Sequence, residues 1–396
     1  MFRLIRFSLF LLLVFIIFSS CNKSSNKENL KENLPDIMEY YPDGTISKER
    51  LKVYNDLFSP ILKKTNFNGS VLVALNGYII YQYNNGFANY ETSTPITDST
   101  LFQIASLTKI FTSAAIMLLV EENKISLDDK VSKYIDNLIY KDITIRQLLQ
   151  HRSGLPRYEF FEPEFWEKVD KNYNQSVVDK LNSDSTALYF KPDSRFIYSN
   201  TGYVLLALII EKVSKMSYED FLTQRIFIPS NMNSTRFSTR ISEIDNRRRA
   251  IGYYNNRRSS GRWEINAMDS VLGDKGIYST SLDLLNWYRS VYLKRVLTYE
   301  SIEQTQDIIP NNRNKDRGYG LGIRWKRVDD REFYYHNGRW NGFRSSYVFR
   351  PDTKLLVIVL SNTSHSASRI SNSIIDVYDT KIKKLRIKDN NQEEDE

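Results

Sequence analysis

The segment FQIASLTKIFTS, residues 102–113, constrains the fold more than any other stretch of the chain. From Lys109 to Val120 most side chains are apolar, and no face is left for charged groups. A helix that is apolar all round belongs in a protein interior, so we expect this helix to be buried. A lysine in such a helix costs free energy unless it has a partner or a function. Ser106 and Lys109, three residues apart at the start of the helix, are therefore the first candidates for a functional site.

The spacing of these two residues suits nucleophilic catalysis. At the N-terminal end of a helix, the unpaired backbone N–H groups and the helix dipole favour developing negative charge. A serine is a weak nucleophile until a neighbouring group takes its proton, and Lys109 at i+3 lies on the same face. The pair predicts a nucleophile with an activating amine. Because Ser-x-x-Lys also occurs at residues 20–23 and 24–27, the spacing alone decides little.

Two further short motifs carry side chains of the required chemistry. YSN at residues 198–200 offers a phenol as proton shuttle in Tyr198 and, two residues on, a donor and acceptor in Asn200. HNG at residues 336–338 closes a predicted strand, and Gly338 would let a substrate or the nucleophile approach the backbone closely. The next N–H, that of Arg339, could then pair with the N–H of Ser106 as two donors to an oxyanion.

Taken in order, these motifs resemble those of a known superfamily. Ser-x-x-Lys at 106–109, Tyr-Ser-Asn at 198–200 and His-Asn-Gly at 336–338 are similar to the motif triplet of serine β-lactamases and penicillin-binding proteins. The stretches LLQHRSGLP at 148–156 and GDKGIYSTSLDLLNW at 273–287 resemble the class C β-lactamase branch, with its D-alanyl-D-alanine carboxypeptidase and esterase relatives. The resemblance extends over roughly residues 47–385.

The resemblance implies a role for each catalytic residue. Ser106 would form an acyl-enzyme, while Lys109 and Tyr198 would relay protons as one coupled titrating unit. Asn200 would orient the substrate. The backbone N–H groups of Ser106 and Arg339 would form the oxyanion hole.

The resemblance also implies that His336, Asn337 and Gly338 line the substrate site. His336 stands where class C β-lactamases carry lysine. With an ordinary pKa of about 6.5 it is mostly neutral at pH 7, so it would hold a substrate carboxylate less firmly than lysine would. Arg339 or Arg344 could compensate for the missing charge. We therefore expect carboxypeptidase or esterase chemistry rather than efficient β-lactam hydrolysis.

The distribution of strands and helices predicts an α/β (α+β) fold. Strand patterns lie at both ends of the chain, among them a hairpin turning at Asn76-Gly77. Helical patterns lie between them. We expect one antiparallel sheet covered by the terminal helices, with a sheet lobe at about 47–105 and 275–385 and a helical lobe at about 106–274. A cleft between two such lobes is a usual place for a site.

The N-terminal residues predict export and lipid anchoring. A basic start and a short apolar run end in SSC, which resembles a bacterial lipobox with Cys21 as the lipidated residue. We expect residues 1–21 to be a signal peptide, 22–46 a flexible tether and 386–396 an acidic tail. The protein would then be held at the membrane of a bacterial cell envelope. The alternative is a cleaved signal with an incidental cysteine.

Composition excludes few classes of protein. With 55 Lys+Arg against 47 Asp+Glu the net charge is +8, but no zinc spacing or other nucleic-acid motif accompanies it. Three histidines and one cysteine predict neither a metal site nor another cofactor. Gly-x-Ser-x-Gly does not occur, which disfavours an α/β-hydrolase. His151 ends a predicted helix, so we interpret it as structural.

Two functional hypotheses remain at this point. The first is a serine hydrolase acting on a small molecule or on a peptide derived from peptidoglycan: a D-amino-acid peptide, an ester or a β-lactam. The second is a non-catalytic penicillin-recognising or scaffold protein of the same fold. The sequence does not indicate an oligomeric state.

Overall fold

A computed structural model describes residues 48–169, 171–184, 186–255, 260–311 and 314–382. The predicted signal peptide with Cys21, the tether and the acidic tail lie outside these residues.

The described chain contains fifteen strands and ten α-helices. The strands are β1 Gly69–Leu75, β2 Tyr78–Asn85, β3 Phe87–Asn89, β4 Thr94–Pro95, β5 Phe102–Gln103, β6 Arg236–Phe237, β7 Tyr253–Asn255, β8 Ser260–Arg262, β9 Ile277–Ser279, β10 Ile309–Asn311, β11 Asn314–Tyr319, β12 Arg324–Val328, β13 Arg331–Trp340, β14 Phe343–Arg350 and β15 Leu355–Ser361. The helices are α1 Lys48–Lys64, α2 Thr108–Glu121, α3 Ile145–Leu149, α4 Pro163–Lys168, α5 Tyr173–Ser183, α6 Thr201–Ser214, α7 Tyr218–Leu222, α8 Ser281–Tyr292, α9 Tyr299–Thr305 and α10 Ala367–Val377.

The main sheet joins the two ends of the described chain. Its eight antiparallel strands run in the order β10-β11-β12-β13-β14-β15-β1-β2. The pairing of β1 with β15 places Val73 opposite Val357. The β1–β2 hairpin turns at Asn76-Gly77, where both residues have positive φ (51° and 81°), as the sequence predicted.

Both faces of the central strands are buried. One face of β1 and β15 packs against α1 and α10 through residues such as Val71, Val359 and Ile374. The opposite face, which includes Leu72 and Ile358, belongs to the larger core shared with α2 and α6. Burial on both faces explains why β1 and β15 are continuous apolar runs rather than alternating ones.

Helix α2 is the buried helix that the sequence predicted. Apart from Ile110, Val120 and Glu121, all of its side chains are buried, and the helix packs within the larger core. The expected fold class, an antiparallel sheet built from N- and C-terminal strands with flanking helices, is confirmed. The boundaries between a sheet lobe and a helical lobe stay a prediction. Among the described residues, every helix is too short or too polar to cross a bilayer.

Candidate active site

The strand before Ser106 sets its position. Strand β5 pairs with β9, and the N–H of Ile104 continues this ladder by donating to the carbonyl of Ile277 at 2.9 Å. Ala105 then adopts a left-handed conformation with φ of +50°, which is costly for a residue with a Cβ. This reversal directs the chain into the 3-10 turn Ala105–Leu107, after which α2 begins at Thr108. Ser106 therefore lies at the N-terminal entrance of α2.

Gly338 lets β13 approach this turn. A Cβ at Gly338 would lie 2.3 Å from the carbonyl oxygen of Ile104 and 2.2 Å from Oγ of Ser345. Neither distance is sterically tolerable. In the same place Ser345 Oγ donates to the Ile104 carbonyl at 2.7 Å. Because residue 338 is a glycine, β13 and β14 can pack against the turn that carries Ser106.

Lys109 is fully buried and points at Ser106. Its Nζ lies 3.1 Å from Ser106 Oγ and donates to the backbone carbonyl of Asp274 at 2.8 Å. The same Nζ lies 5.0 Å from the ring centroid of Tyr198 and 5.3 Å from that of Tyr203. The ring of Tyr198, which is far from Ser106 and Lys109 in the sequence, is therefore brought next to this pair.

The ring of His151 packs against the ring of Tyr198. The two ring centroids are 4.1 Å apart, and the N–H of Ser199 donates to Nδ1 of His151 at 3.2 Å. Burial, together with the positive charges of Lys109 and Arg324, holds the pKa of His151 well below its ordinary value. The residue is neutral and has a φ of +56° just after α3, in agreement with the structural role inferred from the sequence.

Asn200 faces a carboxylate. It precedes α6, and its Nδ2 donates to Oε1 of Glu159 at 2.6 Å. Nη2 of Arg157 donates to the same oxygen at 3.3 Å. In the described part of the chain, Asn200 Oδ1 and Tyr198 Oη are buried and make no hydrogen bond.

His336 lies next to the site, but its ring is completely buried. Nδ1 lies 3.0 Å from the carbonyl of Asn337, and Nε2 lies 3.0 Å from Oη of Tyr319. Since the carbonyl can only accept, Nδ1 carries the proton and Nε2 accepts from the tyrosine. Burial, and then Arg324 and Lys109, hold the pKa of His336 well below 6.5. Direct contact of this ring with a substrate stays a prediction.

The end of β13 extends beyond its pairing with β12. Strand β12 pairs with β13 only as far as Tyr335, so one edge of residues 336–340 is left to the turn that carries Ser106. The Arg339 side chain is exposed, whereas Arg344 is partly buried and donates to the carbonyl of Phe343. Asn337 is partly buried, with its Oδ1 unpaired. Its contact with substrate and the oxyanion role of the Arg339 N–H stay predictions.

A second buried lysine, Lys275, lies near Lys109, and sequence analysis did not identify it. Lys275 contacts Oη of Tyr158, whose hydroxyl donates to Oδ2 of Asp274 at 2.8 Å. Nζ of Lys275 lies 3.5 Å from Asp274 and 4.6 Å from the ring centroid of Trp340. Burial lowers the pKa of Lys275 and raises that of Tyr158 well above 10. Because Lys109 binds the main chain of Asp274, this cluster also fixes Lys109.

Arg324 is the other cation that sequence reasoning missed. Its guanidinium lies 5.0 Å from the ring centroid of Tyr198 and 5.5 Å from that of Tyr319. A residue of β12 therefore places a positive charge near Tyr198, while compensation by Arg339 or Arg344 for the missing lysine stays a prediction. The strand pattern of GYGLGIRW could not reveal this contact, because the register of strand pairing decides which side chains face each other.

The arrangement can support acyl transfer. A hydroxyl at the entrance of a helix, an amine within hydrogen-bonding distance and an adjacent phenol supply the nucleophile and the proton relay. Fold and site together define a serine-centred hydrolase architecture with a Ser-Lys-Tyr constellation. Residues 55–376 match the Beta-lactamase family, and the chain belongs to that family.

Known relatives agree with this assignment. Penicillin-binding protein 4* of Bacillus subtilis (strain 168) is 33% identical over 328 residues, covering 80% of this chain and 73% of that protein. A penicillin binding protein from Bacillus halodurans has a similar structure, with a TM-score of 0.71, 25% identity, and coverage of 81% of this chain and 98% of the other. D-amino acid amidase from Ochrobactrum anthropi SV3, solved with L-phenylalanine, has a TM-score of 0.71, 26% identity, and coverage of 84% and 99%.

Proposed function

We propose that this protein is a serine hydrolase that forms an acyl-enzyme on Ser106 from D-amino-acid amides, peptides or esters. One observation carries the proposal. Nζ of Lys109 lies 3.1 Å from Ser106 Oγ while a second bond, to the Asp274 carbonyl, holds it in place. A lysine with only a structural role would not require a serine hydroxyl as its partner at the N-terminus of the helix. The similarity to penicillin-binding proteins and to a D-amino acid amidase supports the substrate class.

The first half of the reaction forms the acyl-enzyme. Ser106 Oγ transfers its proton to the Lys109–Tyr198 unit and bonds to the substrate carbonyl carbon. The carbonyl electron pair moves to oxygen, where the N–H groups of Ser106 and Arg339 would stabilise the negative charge. When this species collapses, the bond to the leaving amine or alcohol breaks, and the Lys109–Tyr198 unit returns the proton to the leaving group. In the second half, water attacks the carbonyl carbon of the acyl-enzyme and gives its proton to the Lys109–Tyr198 unit. The bond to Ser106 Oγ then breaks, Ser106 regains a proton and the acid is released.

The proposal includes a preference for amides and esters over β-lactams, which rests on the expected contact of His336 with substrate. A lysine at that position would present a full charge to a substrate carboxylate, whereas burial keeps the His336 ring uncharged. This supports slow rather than efficient β-lactam turnover.

Labelling with a fluorophosphonate and with a fluorescent penicillin tests the proposal. We expect wild-type protein and the Ser99→Ala variant, which changes an exposed serine seven residues earlier, to be labelled, and Ser106→Ala to be unlabelled. Equal labelling of Ser106→Ala, or no labelling of wild type by either probe, would contradict it. A permanent penicillin label without turnover of any ester or D-amino-acid amide would favour the non-catalytic alternative.

We also propose that Cys21 anchors the protein to a bacterial envelope membrane. Support comes from the order of basic, apolar and small residues in the first 21 positions. Cys21→Ala should release the protein from membranes, while Ser24→Ala should not. Unchanged membrane partitioning of Cys21→Ala would contradict the anchor.

A further inference from the structure

A buried carboxylate that belongs to none of the motifs connects two parts of the site. Asp269 lies in the 3-10 turn Ala267–Ser270 and is 4% exposed. Its Oδ1 accepts from Nε1 of Trp340 at 2.6 Å, and its Oδ2 accepts from Nδ2 of Asn341 at 3.2 Å. A longer bond from Nε2 of Gln103, at 3.5 Å, also reaches Oδ1. Side chains from distant parts of the chain therefore converge on one carboxylate.

The turn that carries Asp269 is itself held in place. The Asn266 N–H donates to Oδ2 of Asp269 at 2.9 Å, and the Asn266 side chain accepts from the N–H of Met268 at 3.0 Å. Oγ of Ser238 donates to the backbone carbonyl of Asp269 at 2.6 Å. This reciprocal capping fixes the orientation of the carboxylate. Asp269 can therefore act as a fixed point for the side chains that bind to it.

The side chains bound to Asp269 belong to residues beside the two expected oxyanion donors. Trp340 directly follows Arg339, and Gln103 precedes Ser106 by three residues. Strand β12 does not pair with this end of β13, so it does not fix the position of the Arg339 N–H. The Asp269 carboxylate therefore links the end of β13 to the strand that leads into the nucleophile.

The bonds to Asp269 define a direction as well as a distance. Within the described residues its side chain accepts from neutral N–H groups, at both oxygens. The Trp340 indole is also contacted on its ring, because Nζ of Lys275 lies 4.6 Å from the ring centroid. The indole is thus fixed both at its N–H and at its face, and the backbone next to it is restrained.

We propose that Asp269 is a positioning residue that keeps the backbone N–H of Arg339 beside that of Ser106, so that both reach one oxyanion. This inference deepens the proposed function and rests on it. The oxyanion exists only during acyl transfer, so a misplaced donor should lower kcat and leave KM nearly unchanged. Displacement of a donor by about 1 Å, or its loss, costs roughly 100-fold in rate.

The test compares an ester with its thiono analogue, in which sulfur replaces the carbonyl oxygen. Sulfur is the weaker hydrogen-bond acceptor, so the rate on the thionoester depends less on the two N–H donors. Full-length wild type, Asp269→Asn and Asp283→Asn are assayed with N-acetyl-D-alanine methyl ester and with its thionoester. Asp283 is the matched control, because it is similarly buried and its carboxylate accepts from Ser234 and Thr235.

We expect Asp269→Asn to lower kcat for the ester by about 100-fold, with a much smaller change in KM. The ester-to-thionoester ratio of kcat/KM should fall by about tenfold, because the ester loses more of its transition-state stabilisation. Asp283→Asn should keep the wild-type ratio, even if it lowers stability as much. Trp340→Phe removes one donor and keeps a ring; it should lower the ratio as well, and it should add little to the effect of Asp269→Asn.

A ratio at the wild-type value in Asp269→Asn, or in Trp340→Phe if only that variant folds, would overturn the inference. An equal fall in Asp283→Asn would do the same. Fluorophosphonate labelling of wild type separates the inference from the proposed function. Labelling of Ser106 together with an unchanged ratio in the variants rejects only the positioning role, whereas wild type with neither labelling nor turnover rejects both.

Discussion

At the scale of single residues, two buried lysines interact with different parts of Asp274. Lys109 donates to its main chain and reaches Ser106, whereas Lys275 pairs with its side chain through Tyr158. Such buried charges are stable only as a set, because each would be costly alone. The cluster therefore holds the Lys109 amine by supporting the residue to which that amine is bound.

Replacing Lys275 with Met should destabilise the protein strongly. The buried Asp274 side chain would lose its ion-pair partner, and breaking a buried pair in this way typically costs about 3–5 kcal/mol of unfolding free energy. Denaturant unfolding followed by tryptophan fluorescence measures the change. Lys275→Met combined with Asp274→Asn should recover part of the loss. If Lys275→Met alone were as stable as wild type, the Lys275–Asp274 ion pair would not contribute to the stability of the protein.

At the scale of secondary-structure elements, the site depends on how closely β13 approaches the turn before α2. From the sequence we expected a substrate or the nucleophile to come close to Gly338, whereas the structure places the backbone carbonyl of Ile104 there. The sequence predicted the burial of α2 and the turn at Asn76-Gly77, because both rest on local patterns. It could not identify Glu159, Arg324 or the Lys275 cluster as neighbours of the motifs. Those contacts arise only from the packing of loops and strands far apart in the chain.

Gly338→Ala should therefore impair acylation more than folding. The added methyl group would clash with the Ile104 carbonyl and Ser345 Oγ and move the turn that carries Ser106. A displacement of about 1 Å can cost roughly 100-fold in rate, so fluorophosphonate labelling should slow by about that factor. Gly261→Ala, whose nearest contact is the movable phenol of Tyr254, serves as control. Unchanged labelling by Gly338→Ala would contradict this description of the interface.

At the scale of the whole molecule, the main sheet joins the N-terminal hairpin to the C-terminal meander. Two buried histidines make the stability of this fold depend on pH. His151 and His336 have pKa values held well below 6.5 in the folded state, chiefly by burial. Below pH 6.5 the unfolded chain takes up protons that the native protein does not. Stability is therefore fully present above about pH 6.5 and falls as the pH is lowered.

Between pH 7 and pH 5.5 each of these two histidines should reduce the unfolding free energy by about 1 kcal/mol. Urea unfolding at a series of pH values measures the slope. His336→Gln should be less stable at neutral pH, because its bond to Tyr319 is altered, but should show a shallower dependence on pH. A slope unchanged by that substitution would mean that His336 takes up its proton in the folded protein as well.

Rapid-quench mass spectrometry with peptide mapping tests the central claim most directly. Wild-type protein is mixed with D-phenylalanine methyl ester, penicillin or a fluorophosphonate, quenched in acid and digested. We expect a covalent adduct on the peptide that contains Ser106, and none on the corresponding peptide of Ser106→Ala. An adduct confined to another residue, or no adduct with any of the three reagents, would contradict it.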